Sequence, residues 1–181
     1  MSTTIVIMVD GLDPEYLSMC PAPRLEELAK AGSRSNVRGL MPSVTNVNNV
    51  SLVTGSYPEN HGITSNYWLD RDRDSEHYME SAEYIKSETM FQRADGLGMR
   101  SLLVTAKDKL RRLLSTGTTV SVSSEQPPGW VVDGVGTPPE IYSLEVNRWV
   151  LDAGRFILSQ QDFDLVYLTT TDYAMHSYAP D

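Results

Sequence analysis

The chain has 181 residues, of which 40% are hydrophobic and 22% are charged, and its formal net charge is −9. This length is sufficient for one well-buried core. The acidic balance argues against nonspecific binding to nucleic acid, which needs a basic surface. A small anionic substrate is not excluded, because a pair of lysines or a metal ion can reverse the sign of the potential inside a cleft.

The remaining compositional features favour a cytoplasmic protein without a membrane partner. Cys20 is the single cysteine, so an internal disulfide is excluded, which fits a reducing compartment. The first residues lack a basic n-region, and no stretch approaches the roughly 18 to 20 apolar residues of a membrane span. The sequence leaves a homodimer open.

The first half of the chain predicts a strand, a helix, a weaker strand and a second helix. Ile5–Val9 is a continuous apolar run, which predicts a strand buried on both faces at the centre of a parallel sheet. Residues 23–32 predict a helix that begins at a proline, ends at a glycine and carries a stripe of Leu25, Leu28 and Ala29. Residues 37–42 predict a weaker strand, and residues 45–55 predict a helix with Thr45 near its N-cap.

In the second half, residues 67–80 are typical of a two-strand excursion or a lid-like insertion. Further along, the sequence predicts a helix over 87–98 and another from Pro138 or Pro139 to about Gln161. It predicts strands over 99–106 and 163–172, a basic segment over 107–114 and a loop over 127–139. Alternating strands and helices predict an α/β fold with a mainly parallel central sheet flanked by helices. Ligands bind such sheets beyond the carboxyl ends of the strands, where Asp10 and Asp172 are expected.

Three candidate groups carry chemistry. Asp10 could bind a metal or simply form an Asp-Gly turn. Asp172 and His176 are four residues apart, and their oxygen and nitrogen donors suit zinc. Manganese and iron use the same donors, though less exclusively. A surface aspartate beside a histidine whose hydrogen bonds are satisfied would give the same pattern. Thr45 could simply cap its helix. Alternatively, its hydroxyl could attack phosphorus, because a helix N-terminus attracts anions and a nearby divalent cation can activate the hydroxyl.

The order of these groups resembles the alkaline phosphatase superfamily, as does "TGSYPENHGI" after the predicted nucleophile helix. Within the superfamily, five segments are similar to the phosphonoacetate hydrolase family: "IVIMVDGLDPEY", "PAPRLEELAKAG", "PSVTNVNNVSLVTG", "HGITSNYWLD" and "TAKDKL". The resemblance implies an alkaline phosphatase-like fold and hydrolysis of the carbon–phosphorus bond of phosphonoacetate, a small phosphonate, to acetate and phosphate. It also implies two Zn²⁺ ions.

The resemblance also implies roles for individual residues. Thr45 would be the nucleophile and, with Asp10, a ligand of one zinc, whereas Asp172 and His176 would bind the other. Three further residues would contact substrate: Asn66 a phosphonate oxygen, and Lys107 and Lys109 the carboxylate and phosphonate. The lysines also lie in a basic run, which usually forms a solvated face.

The predicted metal-ligand set is incomplete, because the family supplies an adjacent Asp-His pair and a late histidine that this sequence lacks. We therefore expect residues 1–181 to be the N-terminal part of one alkaline phosphatase-like domain, truncated after the D-x-x-x-H strand, with a cap or insertion around 66–85. Three hypotheses remain for the function: a phosphonoacetate hydrolase, a related phosphodiesterase or nucleotide pyrophosphatase, and a non-catalytic fragment.

Overall fold

A computed structural model describes residues 2–179, which form an α/β fold around a parallel sheet. The strands are β1 (Thr4–Met8), β2 (Tyr67–Asp70), β3 (Ser75–Tyr78), β4 (Ser101–Thr105), β5 (Val120–Ser123) and β6 (Leu165–Thr169). Four of them form one sheet in the order β1-β6-β4-β5, and each neighbouring pair is parallel. The predicted fold class is therefore confirmed. β2 and β3 form a separate antiparallel hairpin, and its predicted role as a cap stays a prediction.

Helices connect the strands along the chain, and helices pack on both faces of the sheet. They are α1 (Pro14–Met19), α2 (Pro23–Ala31), α3 (Thr45–Thr54), α4 (Pro58–His61), α5 (Met90–Gly96), α6 (Asp108–Leu114), α7 (Gly129–Val135), α8 (Glu145–Gln160) and α9 (Tyr173–Ser177), with a short 3-10 turn at Ala82–Tyr84. Within residues 2–179, no helix combines the length and apolar character needed to cross a membrane, and the sixteen-residue α8 is the longest.

Two apolar clusters cover the sheet, one on each face. On β4, Leu102 and Val104 point into the cluster formed with α7 and α8, whereas Leu103 points into the cluster formed with α3, α5 and α6. β6 alternates in the same way, with Tyr167 on the α3 side and Val166 on the α8 side. Because both faces of β4 and β6 are buried, these two strands are nearly continuous apolar runs.

The prediction that the first strand lies buried at the centre of the sheet is wrong. β1 is an edge strand whose single partner among the described residues is β6. Val6 and Met8 pack on the α3 side, but Ile5 and Ile7 are 51% and 50% exposed. Neither Ile5 nor Ile7 belongs to the apolar cluster on either face of the sheet. An apolar run alone does not distinguish a central strand from an edge strand.

Three further predictions need correction. Residues 37–42 form no strand, and Val37 is 88% exposed, because that segment pairs with no other in the described part of the chain. Residues predicted as a loop form α7, which buries Val131 against α8. α8 begins at Glu145, with Leu144 as its N-cap, and not at Pro138 or Pro139. The Ser143 hydroxyl accepts a hydrogen bond from the Val146 amide at 3.3 Å, just before the helix.

Candidate active site

The carboxyl ends of β1 and β6 bring Asp10 and Asp172 to the same edge of the sheet. Met8 pairs with Thr169 at the end of the parallel ladder, and the Asp10 amide donates to the Thr170 hydroxyl at 3.3 Å. Gly11 follows with a φ of +75°, and a Cβ atom there would lie 3.1 Å from the Cβ of Asp172. Glycine is therefore required at position 11 both for the turn and for this close approach.

Thr45 is the first residue of α3, and its hydroxyl does not cap the helix. Val44 occupies the N-cap position, and no side chain makes a capping hydrogen bond there. The Thr45 hydroxyl instead donates to Oδ2 of Asp10 at 2.9 Å. A hydroxyl that is not used as a cap, at the positive end of a ten-residue helix and beside a carboxylate, is suited to meet an anionic group.

Asp172 and His176 converge at the start of α9. Nε2 of His176 lies 2.9 Å from Oδ2 of Asp172, and the Lys107 ammonium lies 3.9 Å from the other carboxylate oxygen of Asp172. Burial raises the pKa of Asp10, and the charge of Asp172 raises it further, whereas the Thr45 hydrogen bond and Lys107 oppose that rise. The site therefore holds two mutually repelling carboxylates, a repulsion that a bound cation would relieve.

One open cleft of about 1450 Å³ contains every residue for which a site role is predicted. Its lining includes Asp10, Thr45, Asn66, Lys107, Lys109, Asp172 and His176. The side chains of Lys107 and Lys109 are 24% and 36% exposed, so neither extends freely into solvent as a charged surface face would require. The individual roles of these residues stay predictions.

A smaller pocket of about 380 Å³ adjoins this cleft and shares Lys107, Lys109 and Tyr142 with it. α6 forms one wall of this pocket and is fixed by Asp108, which accepts hydrogen bonds from Arg111 at 2.6 Å and from Ser123 at 2.8 Å. Burial alone would raise the pKa of Asp108, but these hydrogen bonds and the charges of the neighbouring arginines outweigh burial and lower the pKa.

The asparagines near the start of α3 fix the helix in place. Asn49 is fully buried: its amide donates to the Thr45 carbonyl at 2.9 Å, and its oxygen accepts from the Tyr167 hydroxyl at 2.8 Å. Asn46 donates to the Met79 carbonyl at 3.2 Å, which ties α3 to the segment after β3. The helix that presents Thr45 is thus anchored to β6 on one side and to the hairpin on the other.

Three residues of this region are not among those predicted from the sequence. Glu80 pairs with Lys109, Tyr142 lines both pockets, and Asn147 binds the residue before Asp172. None of them lies in a motif, and each reaches the site through the packing of an element distant in sequence. The spacing of residues along the chain therefore gives no signal for them.

The donor types present fit zinc, but their number does not reach a full set. Carboxylate and imidazole donors are typical zinc ligands, and catalytic zinc usually has three protein ligands. In residues 2–179, no group of three or more His, Cys, Asp or Glu side chains converges on one point. Asp10 with Thr45, and Asp172 with His176, therefore offer two donors each, fewer than a catalytic zinc site uses.

The fold places this chain in the alkaline phosphatase superfamily, as the resemblance implies. The chain belongs to the type I phosphodiesterase / nucleotide pyrophosphatase family, whose sequence profile matches residues 4–181. Hydrolases of the superfamily are metal-dependent.

Solved structures and curated relatives agree with this assignment. A phosphonoacetate hydrolase from Sinorhizobium meliloti 1021, crystallised with phosphonoacetate, matches 98% of this chain and 48% of its own chain with a TM-score of 0.83 and 34% identity. Murine ectonucleotide pyrophosphatase / phosphodiesterase 5, in complex with AMP, shares the fold with a TM-score of 0.68 at 16% identity, over 98% of this chain and 45% of its own. The venom phosphodiesterase of Naja atra is 26% identical over 99% of this chain and 21% of its own length. This chain thus spans about half the length of these solved structures and about a fifth of that curated relative.

Proposed function

We propose that this chain carries the nucleophile and substrate-binding residues of a phosphonoacetate hydrolase. The observation that carries the proposal is the 2.9 Å hydrogen bond from the Thr45 hydroxyl to Asp10, at the start of α3, in the cleft that also contains both lysines. The 34% identity to the phosphonoacetate hydrolase of Sinorhizobium meliloti, over nearly the whole of this chain, supports phosphonoacetate as the substrate.

In the proposed reaction, the Thr45 hydroxyl releases its proton to solvent, and its oxygen attacks phosphorus as the phosphorus–carbon bond breaks. The electron pair passes to carbon and is delocalised into the substrate carboxylate as an enediolate, which takes a proton from water to give acetate. A water molecule then hydrolyses the phosphoryl group from Thr45 and releases phosphate. Zinc ions at the Asp10–Thr45 and Asp172–His176 pairs, completed by further donors, would supply the charge that activates the hydroxyl and neutralises the phosphoryl oxygens.

In this scheme, the two lysines stabilise the negative charge that develops on the carboxylate of the substrate. A phosphonate has no oxygen leaving group at the bond that breaks, so the negative charge develops on carbon and on the adjacent carboxylate. An ammonium group beside that carboxylate stabilises the developing charge more than a neutral donor would. Lys107 and Lys109 both face the cleft, and Asn66 lines it as a donor for a phosphonate oxygen.

A nucleotide phosphodiesterase is the second candidate function, and two observations favour it. The family profile is that of phosphodiesterases and nucleotide pyrophosphatases. The cleft of about 1450 Å³ is also large for a ligand as small as phosphonoacetate, and it exposes Tyr57 and Tyr142, on which a base could stack. A phosphodiester, however, carries no carboxylate that would use a lysine clamp.

Paired substrates and paired variants test the proposal. Phosphate release from phosphonoacetate, and nitrophenol release from a p-nitrophenyl ester of thymidine 5′-phosphate, would be measured with added zinc. The variants are Thr45→Ala and, as a matched control on an exposed threonine, Thr137→Ala. Because the zinc donor set of this chain is incomplete, we expect only slow phosphonoacetate turnover in the wild type and the control, and none in Thr45→Ala.

Each other outcome has a definite meaning. Preference for the phosphodiester would establish the second candidate. Undiminished turnover in Thr45→Ala would exclude Thr45 as the nucleophile. The absence of turnover of either substrate would support the non-catalytic hypothesis for this chain.

A further inference from the structure

We infer that Glu80 is an internal carboxylate that competes with the carboxylate of the substrate, and of the product acetate, for Lys109. This inference rests on the proposed function and concerns the affinity and release of ligands at the same cleft. One oxygen of Glu80 lies 3.9 Å from the Lys109 ammonium. The other oxygen accepts a hydrogen bond from the Arg112 guanidinium at 3.3 Å.

The position of Glu80 is fixed by the backbone that precedes it. The Met79 amide donates to the Asn66 carbonyl at 2.8 Å, and the Met79 carbonyl accepts from Asn46 on α3 at 3.2 Å. Met79 itself is buried in the α3-side core. Glu80 therefore projects from an anchored segment next to Asn66, and its side chain, 27% exposed, lines the small pocket together with both lysines.

Arg112 can retain Glu80 when Lys109 releases it. The guanidinium of Arg112 also lies 3.5 Å from Oδ2 of Asp108, whereas Arg111 and Ser123 donate shorter hydrogen bonds to Oδ1 of that carboxylate. Arg112 is therefore shared between Glu80 and Asp108, and its contact with Glu80 is the shorter of the two. A ligand carboxylate at Lys109 would shift Glu80 towards Arg112, and Glu80 would return to Lys109 as the product leaves.

This arrangement affects ligands according to their chemical class. A ligand with a carboxylate close to its phosphoryl group must replace Glu80 at Lys109, so Glu80 weakens its binding. A phosphonate without a carboxylate has no such competition. Because the groups are partly exposed, the ion pair is worth a modest amount, equivalent to about a two- to fivefold change in affinity. Glu80 therefore prevents tight retention of acetate at the cost of weaker substrate binding.

Binding measurements on the zinc-loaded chain test the inference without requiring turnover. Dissociation constants for phosphonoacetate, acetate and methylphosphonate would be measured by calorimetry for the wild type and Glu80→Gln. Glu83→Gln is the matched control, since Glu83 is an exposed glutamate three residues away. We expect Glu80→Gln to bind phosphonoacetate and acetate about two- to fivefold more tightly. Methylphosphonate should change less than twofold, and Glu83→Gln should change none of the three.

A double-mutant cycle with Arg112→Gln tests the retaining role of Arg112. If Arg112 acts through Glu80, its removal weakens acetate binding more in the wild type than in Glu80→Gln.

Equal tightening of methylphosphonate and phosphonoacetate in Glu80→Gln would show a general field effect and overturn the inference, as would unchanged binding of all ligands. Failure of the proposed function is distinguishable, because it would abolish phosphonoacetate turnover while the dependence of acetate binding on Glu80 persisted.

Discussion

The side-chain amide of Asn147 makes three hydrogen bonds to Thr171, the residue that precedes Asp172. Its oxygen accepts from the Thr171 amide at 2.7 Å and from the Thr171 hydroxyl at 3.2 Å, and its nitrogen donates to the Thr171 carbonyl at 3.3 Å. Thr171 is buried at the end of β6, and Asn147 lies in the first turn of α8. α8 therefore holds the backbone from which Asp172 enters the cleft.

Asn147→Ala should lower the free energy of unfolding by about 1–3 kcal/mol, because it leaves buried polar groups of Thr171 without partners. It should also weaken zinc binding, since Asp172 loses its fixed position. Val150→Ala is the control: it truncates a buried side chain of the same helix and leaves the hydrogen bonds from Asn147 to Thr171 in place. Denaturant unfolding and zinc titration check both effects. Equal losses of zinc affinity in two equally destabilised variants would contradict a positioning role for Asn147.

Asp10→Asn should stabilise the metal-free protein while it removes activity. Burial and the neighbouring Asp172 raise the pKa of Asp10, so its charge destabilises the folded state above the unfolded pKa, and this cost increases as the pH rises towards the folded pKa. Asparagine removes the charge and keeps an acceptor for the Thr45 hydroxyl. We expect Tm at pH 7 in EDTA to rise by about 2–4 °C. A lower Tm would show that the Asp10 carboxylate is favourable as an anion even without metal.

Asn49 and Tyr167 should be energetically coupled. Asn49→Ala leaves the buried Tyr167 hydroxyl without its acceptor, and removing one partner of a buried hydrogen bond costs about 1–3 kcal/mol. In a Tyr167→Phe background the same substitution leaves no orphaned hydroxyl and should cost less. A double-mutant cycle by urea unfolding measures the coupling, expected at about 1 kcal/mol. Strict additivity would mean that the hydrogen bond contributes nothing to stability.

His61 should make stability depend on pH. Its Nδ1 accepts from the Ile63 amide at 3.1 Å, so Nε2 carries the proton towards Ser51 at 2.7 Å, and the ring is fully buried in the neutral form. Burial lowers the pKa of His61, so below about pH 6.5 the unfolded chain takes up a proton that the folded chain does not.

Stability should therefore fall as the pH drops from 7.5 to 5.5, with a contribution of at most about 1.4 kcal/mol per pH unit from this histidine. Urea unfolding at a series of pH values would measure the slope. In His61→Gln the slope should be smaller, whatever the absolute stability of the variant. Identical slopes in the two proteins would show that His61 is not the titrating group.

Local rules predicted part of this structure well. The helix from Thr45 to Gly55 follows from its apolar spacing and its terminal glycine, and the two aspartates at strand ends follow from apolar runs that end in a charge. Local sequence patterns do not specify which strands pair with each other or which helices pack together. The edge position of β1 depends on which strand pairs with it, and α7 forms in a proline- and glycine-rich segment because Val131 is buried against α8.

The residues of the candidate site were likewise predicted only where they lie in sequence motifs. Residues in motifs were predicted, and the structure gathers them in one cleft. Asn147 and Glu80 could not be predicted, since each is an isolated polar residue whose partner lies on another element. Their contribution arises from tertiary packing alone.

The pairing of β1 with β6 has a consequence for how the protein folds. The Asp10 amide and the Thr170 hydroxyl that it contacts are 160 residues apart in sequence, whereas β4 and β5 are close neighbours along the chain. Closing so long a loop is slow, and during synthesis the N-terminal strand must wait for β6 to leave the ribosome. The Asp10–Thr45 pair therefore meets Asp172 only after β6 has been synthesised. Until then, β1 has no partner strand, and its unpaired edge is open to association with other chains.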